Sequence, residues 1–285
     1  MNNITSDIFV IADGLNTSYI DSLLISLFYK FTHLQDMLIK LPEKNKFIHL
    51  QDLIYNNFVE QIRRNFSIDS SILNEIRNYS VLCGWKEGMT MTELYNVKDY
   101  LDFLLKGFDY GGINCEIIEI TPESQEQKSN TAKYNYLEVC ISEQTNTKKI
   151  LDTWINDILL ANVNKCLMYY RFTEIPMLIP IYMNRFDSNN QFCTSPVDIM
   201  KRIKFHKNND RSQLEISWVV HSMICFSNVG NGKYYSAVNI DYKENDWRLF
   251  TNDKIPSMIK LNMKDEYVIN KLQQECVVVF YRFDG

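Results

Sequence analysis

An α+β fold, with helices gathered on one side of a mostly antiparallel sheet, is what this sequence predicts, and three observations predict it. Helix-period apolar patterns fill roughly the first 110 residues. After Gly111-Gly112 the texture changes to short β-rich runs separated by polar stretches. The composition, 46% hydrophobic and 23% charged over 285 residues, is that of a packed globular protein, and segregated helices and strands make an α+β layer architecture.

The first helix is expected from Ser18 to about Tyr29, where Ile20, Leu23, Leu24, Leu27 and Phe28 recur at helical spacing. Further helices are expected over Phe47 to Arg64, Ser70 to Tyr79 and Val97 to Phe108. Strands are suggested by CEIIEI, YNYLEVCI, CLMYYRF and MLIPIYMNRF, then by VDIMKRIKF, LEISWVVHSMICF, KYYSAVNIDY, DWRLF and CVVVFYRF. One more helix is expected within Ile255 to Gln274, with Pro256 near its start. The polar segment TPESQEQKSNTAKYN, Thr121 to Asn135, reads as a mobile surface loop. No internal repeat and no interdomain linker is visible. A single domain over 1–285 is therefore expected, helical over about 1–110 and β-rich over about 111–285.

Net charge is −5 and the pI is near 5.5. With no like-charge run and no basic stripe interleaved with aromatics, the electrostatic footprint of nucleic-acid binding is missing. A basic protein surface is the better partner. No stretch approaches the roughly 18 consecutive apolar residues of a membrane span, and MNNITSDIF lacks a signal-like pattern, so an intracellular protein of cytoplasm or nucleus is expected. Frequent Asn, Ile, Lys and Tyr hint at an AT-rich coding genome such as those of parasites and large DNA viruses; a viral origin would place the protein in the host cytoplasm. The seven cysteines, Cys83, Cys115, Cys140, Cys166, Cys193, Cys225 and Cys276, form no C-x2-C pair. They argue against a zinc ribbon and a secreted disulfide framework, and most are expected to be buried thiols. No metal and no cofactor is expected.

Several segments together resemble ubiquitin-specific proteases: NTSYIDSLLISLFY near the start, YNVKDYLDFLL near 100, LIPIYMNRF near 180, GKYYSAVNI with DWRLFTNDKI near 240, and VVVFYRF at the end. That family carries boxes of the types GNTCYxxSLLxxLF, QDAxEFLxxLL, IHLKRF, GHYxxxV with WyxFDD, and AYxLFY, in that order. The resemblance covers nearly the whole chain. It implies a papain-like fold with a helical thumb and an antiparallel β palm and fingers, here without the fingers' zinc.

The resemblance also marks the catalytic positions. A cysteine isopeptidase needs a thiolate at a helix N-terminus, an imidazole base and a group to orient that imidazole. Ser18 stands at the nucleophile's position and Lys233 at the histidine's. Thr251 follows Phe250 where the orienting acid belongs, with Asn252 next to it and able to orient only if shifted. Asp13, five residues before Ser18, replaces the oxyanion-donor asparagine. A carboxylate there repels a developing oxyanion and removes a donor worth about 3 kcal/mol. His221 matches a histidine lying away from the chemistry and is expected to be a strand histidine. Ser18 is expected to serve as an N-cap, with Asn16 and Thr17 competing and Asp21 adding a capping-box-like carboxylate. Lys233 is expected to be a solvated strand-end charge or a partner of Asp13 or Asp253.

Positions that resemble the family's contacts to the ubiquitin tail are Tyr95, Asn96 and Asp99 on the thumb helix and Tyr234 and Tyr235 in the C-terminal box. The residues point to a catalytically inactive, deubiquitinase-like protein that binds ubiquitin, a ubiquitin-like protein or another protein. Two alternatives stand beside it. One is an active isopeptidase, with Ser18 replacing a cysteine or forming a dyad with Lys233. The other is an interaction protein whose partner is not ubiquitin.

Overall fold

Every residue of helix α1, Ser18–Phe28, is buried, its serines and Asp21 included. The computed structural model describes residues 9–30, 45–86, 94–120, 127–141, 159–161, 166–189, 191–207 and 214–284. It divides into two compact units, Met1–Tyr110 with His221–Val278, and Gly111–Val220 with Val279–Gly285.

The next helix, α2, is interrupted: it runs Ile48–Leu53, widens to a π-helix over Ile54–Val59 and closes over Glu60–Arg63. Helix α3, Ser70–Leu82, starts at Asp69, whose carboxylate accepts from the Ser71 backbone N–H at 2.8 Å. Helix α4, Val97–Gly107, starts at Asn96, whose side chain accepts from the Lys98 N–H at 2.9 Å. Both caps satisfy donors that a first helical turn leaves unpaired. A Cβ on Gly107 would overlap the Phe47 ring, so only a glycine admits that ring against the end of α4.

The strands follow in chain order: β1 Ile113–Ile120, β2 Gln127–Tyr134, β3 Leu137–Cys140, β4 Leu159–Ala161, β5 Cys166–Phe172 and β6 Leu178–Asn184. Then come β7 Arg202–Lys207, β8 Leu214–Ser227, β9 Lys233–Asp241, β10 Asp246–Phe250 and β11 Met258–Leu261. Helix α5, Glu266–Glu275, precedes the last strand, β12 Cys276–Phe283.

In the first unit β9 lies between the Ser222–Ser227 part of β8 and β10, and β11 forms the edge, all antiparallel. Strand β9 is buried without a break from Tyr234 to Asn239, rather than at alternate residues, because α1 covers one of its faces. The Ser222 hydroxyl donates to the Ser26 carbonyl at 2.7 Å and ties β8 to that helix. In the second unit β2, β1, β5 and β4 form an antiparallel sheet, β7 pairs with the Leu214–Val219 part of β8, and β3 pairs parallel with β6. Buried Arg185 is held there by the Cys193 and Ser195 carbonyls.

Three expectations are corrected. The segment Thr121 to Asn135 is not a loop throughout: Gln127–Tyr134 forms β2, paired residue for residue with β1, while 121–126 lies outside the described residues. Its polar sequence carries no strand pattern; the open edge of β1 supplies the order, and exposed Lys128 and Lys133 suit an edge strand. Ile255 to Gln274 is not one helix. Met258–Leu261 is β11, and Asn262 and Asp265 make a turn and cap that delay the helix to Glu266. The strand expected over VDIMKRIKF begins only at Arg202. Among the described cysteines, Cys83, Cys115, Cys225 and Cys276 are buried, Cys193 is half-buried and Cys140 is exposed. Among the described residues, no helix is long and apolar enough to cross a membrane.

Candidate functional site

The stretch that delivers Ser18 is a tightly wound loop. Gly14 has no room for a side chain: a Cβ there would sit 2.9 Å from Thr17 Cγ2 and 3.0 Å from Leu73 Cβ. Leu15 and Asn16 both take positive φ, 63° and 58°, which is uncommon for residues other than glycine. Buried Arg77, on α3, stabilises the turn by donating from Nη2 to the Leu15 carbonyl at 2.6 Å. The loop ends at Thr17, whose hydroxyl oxygen accepts from the Gly14 N–H at 2.9 Å and whose carbonyl accepts from Ile20 and Asp21.

Thr17, not Ser18, is therefore the N-cap residue, and its side chain makes no cap hydrogen bond. Ser18 is the first helical residue. Its Oγ turns toward β9 and accepts from the Tyr234 N–H at 3.1 Å, with the side chain 1% exposed. A residue at that position directs its side chain away from the free N–H groups of its own first turn, which is why the cap expectation fails. Ser18→Ala removes this buried acceptor and is expected to cost about 1–3 kcal/mol of stability, read as a lowered urea midpoint at unchanged slope.

Asp21 does not complete a capping box either. It is 3% exposed, and its Oδ2 accepts from Asn252 Nδ2 at 2.7 Å while Oδ1 accepts from the Ser22 hydroxyl at 3.2 Å. Burial pushes its carboxyl well above the usual range against the pull of those hydrogen bonds, and the nearby Asp13 carboxylate adds to the rise. Asn252 is thus engaged by a carboxylate of α1 rather than by an imidazole. Thr251 Oγ1 hydrogen-bonds the Asp253 carboxylate.

Lys233, the first residue of β9, pairs with Asp13: Nζ lies 3.2 Å from Oδ2, and both side chains are about one-third exposed. The arrangement sets charge against charge, whereas a dyad needs a neutral amine aimed at Ser18 Oγ. His221 is buried within β8. The structure thus gathers Asp13, Ser18, Asn252 and Lys233 into one polar cluster around the start of α1, in which the side chains bond one another or the backbone. Among the described residues there is no group of three metal-ligating side chains.

The residues singled out for tail contacts divide. Tyr234 reaches α4, its hydroxyl accepting from the Val97 N–H at 3.5 Å, and its ring packs on Phe226. Tyr95 meets the rings of Tyr19 and Trp85, Asn96 caps α4, and Asp99 pairs with Lys86 at 2.8 Å. Tyr235 turns instead to the end of α5, donating to Glu275 Oε2 at 2.6 Å; burial, with Cys225 and Glu275 alongside, raises its hydroxyl pKa. Sequence reasoning missed Arg77, Trp85 and Lys86. Helical spacing puts Arg77 on the face of Leu73, Ile76 and Ser80, the buried stripe of α3, though its charge argues against burial, and the Gly84-Trp85 pair just after that helix was a usable signal for a packed turn.

No protein-family model and no curated protein matches the sequence. Solved structures do match in shape. Ubp8 in the SAGA DUB module with Sgf11, Sus1 and Sgf73, bound to monoubiquitin, superposes with a TM-score of 0.66 over 97% of this chain and 69% of that one. The fold is that of a ubiquitin-specific protease. Identity in this pair is 13%, and for the same module bound to ubiquitin aldehyde it is 11%, at a TM-score of 0.66 over 97% and 69% of the two chains. A third structure of the module gives 0.65 at 13% identity over 96% and 69%. At such identities a shared ubiquitin-specific-protease fold is what the likeness shows, and it leaves the chemistry to the residues.

Proposed function

We propose that this chain is a catalytically inactive, deubiquitinase-like protein that acts by binding ubiquitin or another protein partner. The observation that carries the reading is the pairing at the start of α1. Ser18 Oγ is used as an acceptor for the Tyr234 N–H, and the Lys233 ammonium at the position resembling the base is paired with Asp13. A serine is a weak nucleophile without a base, so a site with this pairing lacks the step that would start acyl transfer. Asp13 also places negative charge where an oxyanion would need a donor. The scaffold supports the binding half of the reading, since Ubp8 of the same fold is described bound to monoubiquitin.

Titration of isotope-labelled ubiquitin with the full chain tests that half. Shifts concentrated on the C-terminal tail and its surrounding face are expected at micromolar to high-micromolar protein. A spectrum unchanged at high micromolar removes ubiquitin as the partner and leaves another protein.

A further inference from the structure

The hairpin that joins β8 to β9 carries chemistry that the proposed function does not use. Ser227 pairs with Lys233, so Asn228-Val229-Gly230-Asn231-Gly232 forms the connecting loop. Asn231-Gly232 is the only Asn-Gly step in the sequence. An asparagine side-chain amide is open to attack by the backbone nitrogen of the next residue, and a glycine there presents no side chain to obstruct the approach. The loop stands in solvent, with Val229 82% exposed and Asn231 exposed as well.

The local bonding leaves this step reactive. Among the described residues the Asn231 side chain has no hydrogen-bond partner, and the attacking Gly232 N–H makes a long bond, 3.4 Å to the Val229 carbonyl. Gly232 rests against the Phe226 ring, so the loop must open briefly before a ring can close, and exposed loops open at low cost. The Asp13-Gly14 step, at the other partner of the Lys233 ion pair, is the contrast. Its Gly14 N–H is buried and donates to Thr17 Oγ1 at 2.9 Å, and the backbone there is wedged against Thr17 and Leu73.

We propose that Asn231 is a site of spontaneous deamidation, which folding leaves open while it protects Asp13. The Gly232 backbone nitrogen, its proton lost to hydroxide, bonds to Asn231 Cγ; the Cγ–Nδ2 bond breaks and ammonia leaves with a proton from water. Water then opens the succinimide ring at either carbonyl, giving aspartate or isoaspartate at residue 231. No oxidant, metal or enzyme is required. The product adds one negative charge to a chain of net charge −5, on the loop that leads into β9 and two residues before Lys233. The isoaspartate form also carries the main chain through Cβ and lengthens the loop by one carbon, next to the closely packed Gly232. The deamidation stands whether or not the proposed function holds.

The test incubates the full wild-type chain at 37 °C and pH 8, folded in buffer and unfolded in guanidinium chloride. Residues 231 and 13 are followed by peptide mass mapping, and isoaspartate is counted by enzymatic methylation. Asn231 in the folded chain is expected to convert within about threefold of its unfolded rate, whereas isoaspartate at Asp13 is expected to form at least about tenfold more slowly than in the unfolded chain. Asn231→Gln, whose longer side chain closes a less favourable ring, is expected to convert at least about tenfold more slowly than the wild type. An Asn231 that keeps its amide in the folded chain while converting in guanidinium overturns the proposal. Equal ratios of folded to unfolded rate at the two sites overturn it as well.

Discussion

No release of fluorophore from a ubiquitin conjugate is expected from the wild-type chain above the rate in buffer, and Ser18→Cys alone is expected not to restore it. On the proposed reading, the nucleophile's position is only the first of the requirements that the site fails to meet. A thiol at residue 18 gains the favourable N-terminal end of α1, yet on the proposed reading it still has no imidazole, because Lys233, at the position that resembles the base's, pairs with Asp13. His221 is not a substitute in this geometry: it is buried inside β8. Members of a catalytic triad act as a unit, and loss of the base alone lowers turnover by about 10⁴-fold or more. On the same reading, Asp13 would work against an oxyanion in addition. Steady turnover by the wild type that disappears in Ser18→Ala would overturn the inactive reading and return the active alternative to first place.

Asp21→Asn is expected to raise stability at neutral pH and to flatten its dependence on pH. Burial lifts the folded-state pKa of Asp21 above the ordinary 3.8, with Asn252 and Ser22 opposing and Asp13 reinforcing the lift. The folded chain therefore binds this proton more tightly than the unfolded chain does. Between 3.8 and the raised folded value the native state carries more protons, so stability falls as pH rises through that window. The contribution is complete below the unfolded value and lost above the folded one. Asparagine has nearly the shape of the neutral acid, bears no charge to desolvate and can turn its amide to suit Asn252. A higher Tm at pH 7 is expected, by roughly 2–4 °C for each kcal/mol gained in a chain of this size. Thermal melts of both proteins from pH 4 to pH 8 measure it; curves that run parallel would show that Asp21 does not titrate in the window.

The two effects depend on the same cluster around the start of α1, and the sequence revealed them unequally. Ser18, Lys233, Thr251, Asn252 and Asp13 could be picked out because ordered boxes spread over the chain resemble those of one family. Their partners could not. Asp13 and Lys233 stand 220 positions apart, Asp21 and Asn252 stand 231 apart, and no local pattern links them. Asp21 read as a first-turn carboxylate because its spacing from Ser18 suits a capping box, but the helix is buried on all sides and the side chain found Asn252 instead.

Periodicity determined most of what the sequence settled by itself: the helices of the first third, the apolar strands and the α+β class. Those elements announce themselves because apolar residues at helix or strand spacing must be buried, and each carries that requirement locally. Only the tertiary structure decided the rest. QKSNTAKY became strand β2 because β1 offered it a hydrogen-bonding edge, and Ser18 became an acceptor for β9 because Thr17 had already taken the cap. A polar side chain is satisfied by whichever donor or acceptor the fold brings near, and that neighbour is a property of the packed chain rather than of the residues beside it.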